Sequence, residues 1–294
     1  MNNNKYLNPH TLQGQQLILW STFFFGLVAA SIITSALTLM MQGEIKALLT
    51  ASIVLQDLLV FIIPAFLTAR FVSAQPLHLL KLNHTPQWRA VAFVVALLVV
   101  SMPAMNYIVY LNEQLTLPAS LAPIEQWMRA TEEAAKAVTD SFLNGNTLPG
   151  MLGCVLLMGV LTGFSEEALF RGALQGTLSR FRNPHFSIWL AAFVFSVLHF
   201  QFFGFVPRLL LGAIFGYLLH WTGSLWVPII AHALNNSVVV VSAYLLPASE
   251  TTTAIDAIGI PTDGSFPKLA FISLILTYFL LRYRSHLLPT PKKA

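Results

Sequence analysis

Leu161 to Gly176 reads LTGFSEEALFRGALQG. Two adjacent carboxylates, Glu166 and Glu167, and one guanidinium, Arg171, interrupt an apolar run in a chain that is 56% hydrophobic and only 10% charged. Ionisable side chains are costly at bilayer depth, and where they occur they face a bundle interior or an aqueous cavity. The surroundings of the stretch decide what these three groups are for.

Those surroundings are membrane-like throughout. The 294 residues have a mean hydropathy of +0.69, too apolar for a soluble domain of this length. A spanning helix needs roughly 20 mostly apolar residues. Windows of this kind run from Leu17 to Met41, Leu48 to Val72, Ala90 to Leu111 and Pro149 to Leu174, then Phe186 to Phe205, Leu209 to Trp221, Leu225 to Leu246 and Leu269 to Tyr283. They predict an all-α polytopic membrane protein of about eight transmembrane helices, the sixth being the least secure because its window is the shortest. The first window is too long for a signal-peptide core and lacks a basic start and a small-residue cleavage site, so it is read as an uncleaved span.

Cysteine and charge narrow the function classes. The single cysteine, Cys154, excludes an internal disulfide and reads as a small packed hydrophobe. The net charge of +4 comes from dispersed basic residues at span ends, which excludes a nucleic-acid partner and points to topology determinants. With eight spans, one side carries Lys5, Arg70, Lys81, Arg89, Arg180, Arg182, Arg282, Arg284, Lys292 and Lys293. The other carries Lys46, Arg129, Lys136, Lys268 and Arg208 among Glu113, Glu125, Glu132, Glu133, Asp140, Glu250, Asp256 and Asp263. Cytoplasmic segments are rich in Lys and Arg, so both termini are expected in the cytoplasm of a multi-pass cell-membrane protein, in a bacterial inner or plasma membrane.

No repeat or separate soluble domain is evident, and residues 1–294 read as one membrane domain. Residues 1–148 hold the N-terminal spans, 149–246 a core, and 247–294 a loop, the last span and a basic tail. PIEQWMRATEEAAKAVTDSFL, Pro123 to Leu143, repeats Ile124, Trp127, Met128, Ala135, Val138 and Phe142 at helical spacing, which predicts an amphipathic helix on the membrane surface with a Glu132 to Lys136 pair on its solvated face. PASETTTAIDAIGIPTDGSFP, Pro247 to Pro267, reads as an irregular loop.

Within the spans the polar groups are few. Glu167 and Arg171, four apart, suit a helical ion pair with a mainly structural role. Glu166 is turned about 100° from Glu167 on an α-helix and has no evident local partner, which suits a general base or a proton carrier. Phe195 and His199 share a face in FVFSVLHF, and His232 and Asn236 share one in AHALNNS, from which both can donate to one oxygen atom. Asn235 is expected to face elsewhere and support helix packing. A carboxylate, two imidazoles and an amide from consecutive segments supply a base, proton carriers and a neutral donor. Asp57 reads as part of an interhelical hydrogen-bond network, Arg208 as a snorkelling headgroup contact, His220 as interfacial, and His185 has no assignable chemistry.

Glu166 to Arg171 (EEALFR), Phe195 to His199 (FSVLH) and His232 to Asn236 (HALNN) resemble, in order, the EExxxR, FxxxH and HxxxN motifs of the CPBP family, the type II CAAX prenyl endopeptidases and their bacteriocin-processing or immunity relatives, also called the Abi family. The resemblance covers about Pro149 to Leu246. It implies an eight-helix intramembrane protease whose motifs line a cavity open toward the cytoplasm. Glu166 and His199 would activate water, His232 and Asn236 would hold the oxyanion, and Glu167, Arg171 and Phe195 would support the site. Metallopeptidase descriptions of the family would make Glu166, His199 and His232 a His2Glu zinc set. No HExxH is present, and metal-free hydrolysis without a cofactor is favoured.

The expected function is cleavage of a peptide bond in a membrane-associated or lipidated peptide or protein substrate, the lipid bilayer being the other partner. A non-catalytic immunity or scaffold factor and a proton-linked transporter are the alternatives. A transporter would leave interrupted segments in two related halves, which the sequence lacks.

Overall fold

The computed structural model describes residues 10–41, 43–143, 147–245 and 255–288. Lys5, Glu250, Leu246, Lys292 and Lys293, and the first part of the loop from Pro247, lie outside them. Among the described residues there is helix and no strand. The long elements are α1 (Leu12–Met40), α2 (Ile45–Val72), α3 (Trp88–Glu113), α4 (Ala122–Leu143), α5 (Leu148–Ser179), α6 (Pro184–Val197), α7 (Phe205–Thr222), α8 (Trp226–Leu245) and α9 (Lys268–Arg282).

Local chemistry sets the helix ends. Thr11 Oγ1 accepts from Gly14 N at 3.1 Å to start α1, and Asn183 Oδ1 accepts from His185 N at 2.8 Å, with Pro184 in the first turn of α6. Gly223, at φ +68°, closes α7 in the left-handed conformation that glycine adopts without steric cost. Pro103 lies inside α3. Beside it Ser273 of α9 donates Oγ–H to Val100 O at 2.5 Å and accepts from Ala104 N at 3.2 Å, joining two groups that an unbroken helix would pair with each other.

Among the described residues, six helices are long and apolar enough to cross a membrane: α1, α2, α3, α5, the segment Phe202–Thr222 that contains α7, and α8. α6 and α9, of 14 and 15 residues, pack alongside them, completing about eight. Outward residues such as Phe24, Phe25, Ile32 and Leu39 are exposed, the pattern of a lipid-facing surface, and the chain is a multi-pass helical membrane protein. The fifth segment, not the sixth, is the short one. α6 stops at Val197, so His199 sits in the turn beyond it rather than on a helical face. His199 Nδ1 donates to Phe195 O at 2.7 Å, using a free carbonyl of the last turn.

Contacts at the helix ends define two faces. On the first, Gln16 Nε2 donates to Thr177 Oγ1 at 2.9 Å, Leu225 N to Lys81 O at 3.0 Å and Trp226 Nε1 to Leu82 O at 2.9 Å, while Arg284 lies over the Trp221 ring at 4.5 Å. On the second, Asn112 Nδ2 bonds the carbonyls of Phe202 and Phe203, Phe203 N donates to Glu132 Oε2 at 3.1 Å, and Asn106 Nδ2 donates to Ile255 O at 2.8 Å. The start of α1 and the end of α9 belong to the first face, and α4 belongs to the second.

α4 is helical, but its residues sort differently from the expected apolar and polar faces. Phe142 is buried while Ile124, Trp127 and Val138 are exposed, and Glu132, Thr139 and Asp140 turn inward over a cavity. Lys136 pairs with Asp140 at 3.2 Å instead of Glu132, because Glu132 is taken up by the Phe203 amide. The cavity beneath the helix takes Glu132, Thr139 and Asp140, while Ile124, Trp127 and Val138 face outward, as an interfacial helix presents them to lipid.

Candidate active site

The site is built where α5 crosses α8. Gly159 and Gly163, four apart on α5, face Ser237 and Ala233 of α8 so closely that a Cβ on Gly163 would stand 3.0 Å from Ala233 N. Small residues at this spacing let two backbones approach. Wide-turned π-helical stretches, Val155–Leu161 and Ala168–Gln175, flank Thr162–Glu167 in α5, and such turns recur at functional sites. Asp57, in a third π-helical stretch in α2, accepts from Ser165 Oγ at 2.6 Å and Thr162 Oγ1 at 3.0 Å, tying the segment before Glu166 to a neighbouring helix.

Glu167 and Arg171 are fully buried. Arg171 Nη1 donates to Glu167 Oε1 at 2.8 Å and Nη2 to Gly212 O at 2.9 Å. Its guanidinium lies 4.6 Å from the Phe195 ring centroid and 5.5 Å from that of Phe215, a cation–π arrangement that helps hold a cation away from water. Gly212 permits this, since a Cβ there would stand 3.1 Å from Arg171 Nη2. The same Glu167 Oε1 accepts from His232 Nδ1 at 2.8 Å, a contact that sequence spacing does not reveal.

Both histidines are thereby oriented. A carboxylate oxygen and a backbone carbonyl are acceptors, so His232 Nδ1 and His199 Nδ1 must each carry a proton. Each then directs Nε2 at Glu166: His232 Nε2 is 3.7 Å from Oε2 and His199 Nε2 is 4.0 Å from Oε1. Glu166 is itself buried. The partners differ in charge. Glu167 can offset a positive charge on His232 when Nε2 also takes a proton, whereas the Phe195 carbonyl opposite His199 carries no charge.

Asn236 Nδ2 donates to Met158 O at 3.1 Å, and its Oδ1 accepts from Asn235 Nδ2 at 3.3 Å. An amide nitrogen carries two protons, so one N–H of Asn236 stays available. Asn235 lines the same cavity as Asn236, contrary to the expectation that it faces away, because its amide reaches across to its neighbour.

A cavity of about 940 Å³ joins these groups, with Glu166, His199, His232 and Asn236 all in its wall. Phe195 lines it too, edge-on to His199 at a centroid separation of 4.7 Å. Two groups that sequence reasoning placed elsewhere also reach it. Arg208 turns into the cavity, donating to Gln201 O at 3.1 Å and Gln201 Oε1 at 2.7 Å rather than snorkelling outward. Its signal was present in the spacing of Gly204, Arg208, Gly212 and Gly216, which puts it on the close-packed face of α7. Glu132 of α4 is the second. His185 and His220 lie on the first face, away from the site, with their rings 6.2 Å apart.

The cavity wall includes Glu113, Lys136, Asp140, Gly204, Ile255 and Asp256, all on the second face. It therefore opens opposite the start of α1 and the end of α9. Cytoplasmic termini and a cavity open toward the cytoplasm, both expected from the sequence, exclude one another in this fold.

Zinc uses imidazole and carboxylate donors, and two Nε2 atoms with Glu166 are of the right type. Among the described residues, however, no group of three or more His, Cys, Asp or Glu is spaced to hold a metal ion.

A helical membrane protein with a buried Glu, two oriented histidines and an amide around one cavity belongs to the class of polytopic proteins with an intramembrane polar site. Residues 148–238 match the family described as type II CAAX prenyl endopeptidase Rce1-like. This segment takes in α5, α6, α7 and the part of α8 that carries His232 and Asn236. The uncharacterized protein YpbD of Bacillus subtilis (strain 168) is 32% identical over 88 residues, which cover 29% of this chain and 42% of that relative. The chain thus spans less than half the length of the curated relative it matches. No solved structure matches the chain.

Proposed function

We propose that the protein is an intramembrane endopeptidase, with residues 149–246 as its catalytic core, that hydrolyses a peptide bond in a membrane-associated or lipidated peptide by water activation without a metal. The observation that carries this reading is the convergence of His199 Nε2 and His232 Nε2 on the two oxygens of Glu166 inside a cavity of about 940 Å³, near the upper end of the range for ligand pockets.

A water held by Glu166 and His199 loses its proton to the Glu166 carboxylate as its oxygen attacks the scissile carbonyl. The developing oxyanion accepts from the free N–H of Asn236 and from His232 Nε2–H when His232 is the imidazolium that Glu167 supports. Glu166 then passes its proton to the leaving amine. Glu167 and Arg171 position His232 and touch no reacting atom.

The test is mass spectrometry of peptides cut in membranes that contain the wild-type protein or the Glu166→Gln variant. Cleavage by wild type and its loss in the variant, at equal expression and melting temperature, support the reading, and full activity in the variant rejects it. Activity that survives zinc chelation is expected, while loss on chelation and recovery on zinc addition would replace the metal-free step. A catalytically dead variant that keeps its cellular effect would favour the scaffold alternative, and proton flux in liposomes the transporter.

A further inference from the structure

The position of the cavity mouth and the distribution of cations decide which side of the membrane supplies the substrate. The cavity opens on the second face, between α4, the turn at Gly204 and the segment at Ile255 and Asp256. The first face carries Arg70, Lys81, Arg89, Arg180, Arg282 and Arg284, with no Asp or Glu among the described residues there. The sequence flanks of the first and last spans add Lys5, Lys292 and Lys293, which count because they stand within about 15–20 residues of a span end. The second face has fewer cations, and one of them, Arg208, is turned into the cavity.

Lys and Arg in short loops and flanks set orientation, while Asp and Glu contribute little. The first face is then cytoplasmic, and the cavity mouth is on the other side. We infer that the site takes its substrate from the non-cytoplasmic side, so that its substrate class is a peptide segment already carried across the membrane, entering beneath α4, and not a cytosolic lipidated C-terminus.

The groups around the mouth fit that assignment. α4 covers the cavity with polar residues, Glu132 among them, and exposes Ile124, Trp127 and Val138, the apolar side chains that an interfacial helix lays against lipid. Glu132 accepts from the Phe203 amide at 3.1 Å, so α4 is latched to the turn that precedes α7 and its Arg208. A peptide emerging at this surface meets cavity and helix together, whereas the pocket on the first face, lined by Gln175, Ser179, Leu219 and Val227, reaches none of Glu166, His199, His232 and Asn236.

The inference rests on the peptidase reading for its substrate, but its test does not depend on activity. In a Cys154→Ser background, single cysteines replace Asp256 and Lys136 near the mouth and Arg180 and Arg282 on the first face, all exposed positions. Intact cells are treated with a membrane-impermeant maleimide-polyethylene glycol, and the gel shift is compared with that after permeabilisation. Asp256→Cys and Lys136→Cys are expected to shift fully in intact cells, and Arg180→Cys and Arg282→Cys only after permeabilisation. The reverse pattern overturns the inference. Two sites on each face guard against one variant failing to insert. Adding Glu166→Gln must leave the pattern unchanged, so failure of the peptidase reading appears separately, as absence of cleavage with the labelling intact.

Discussion

His232 Nδ1 lies 2.8 Å from Glu167 Oε1, and Arg171 Nη1 lies the same distance from the same oxygen. One buried carboxylate atom thus serves a structural cation and the imidazole that faces Glu166. Glu167→Gln keeps the shape but removes the charge that would support a doubly protonated His232. Losing a hydrogen bond to a charged group typically costs about 1.5–3 kcal/mol, which is about 10–100-fold in rate. The expected result is a kcat lowered by that factor with KM little changed, read from steady-state peptide cleavage. An unchanged kcat would end the positioning role of Glu167.

The spacing of four between Glu167 and Arg171, and between His232 and Asn236, was legible because a single helix brings such residues onto one side. The contacts that complete the site join helices: Glu167 to His232, Asn236 to Met158, and Asp57 to Ser165. Periodicity records a helix's own neighbours and says nothing of which helix it crosses. That information sits in Gly159, Gly163 and Gly212, where the absence of a Cβ permits close approach. Arg208 and Glu132 were misplaced for a related reason. A charge near a span end looks solvated until the cavity beneath it is known.

Arg171 offers a stability test. It donates both to Glu167 and to the Gly212 carbonyl while lying among aromatic rings. Arg171→Met removes one partner of a buried ion pair, which typically costs about 3–5 kcal/mol. Arg171→Lys should lose less but still melt below wild type, because an ammonium lacks the planar fork that reaches two acceptors. Thermal melting in detergent should rank wild type above Lys and Lys above Met. A melting temperature for the Met variant equal to wild type would show that the pair contributes no net stability.

Asp57 belongs to α2, outside the segment with family resemblance, yet it accepts from two hydroxyls of α5. Hydrogen bonds to a charged group are worth about 1.5–3 kcal/mol each. Asp57→Ala and Ser165→Ala should each lower the melting temperature, and the double variant should lose less than the sum of the two. A coupling of about 0.5–3 kcal/mol is the range for residues in one network. Strict additivity would mean that the two side chains do not act on one another.

Asn236 separates a role in chemistry from one in binding. One of its N–H groups is fixed on Met158 O and its oxygen on Asn235, so the remaining N–H is aimed before substrate arrives. A donor that meets charge formed only in the transition state affects kcat, and loss of one such donor costs about 100–1,000-fold. Asn236→Ala should therefore lower kcat by about that factor with KM near wild type. Asn235→Ala, which removes only the orienting contact, should have a smaller effect in the same direction. Steady-state cleavage of one peptide by the three proteins checks this. A rise in KM at constant kcat for Asn236→Ala would assign the amide to substrate binding and leave the oxyanion to His232 alone.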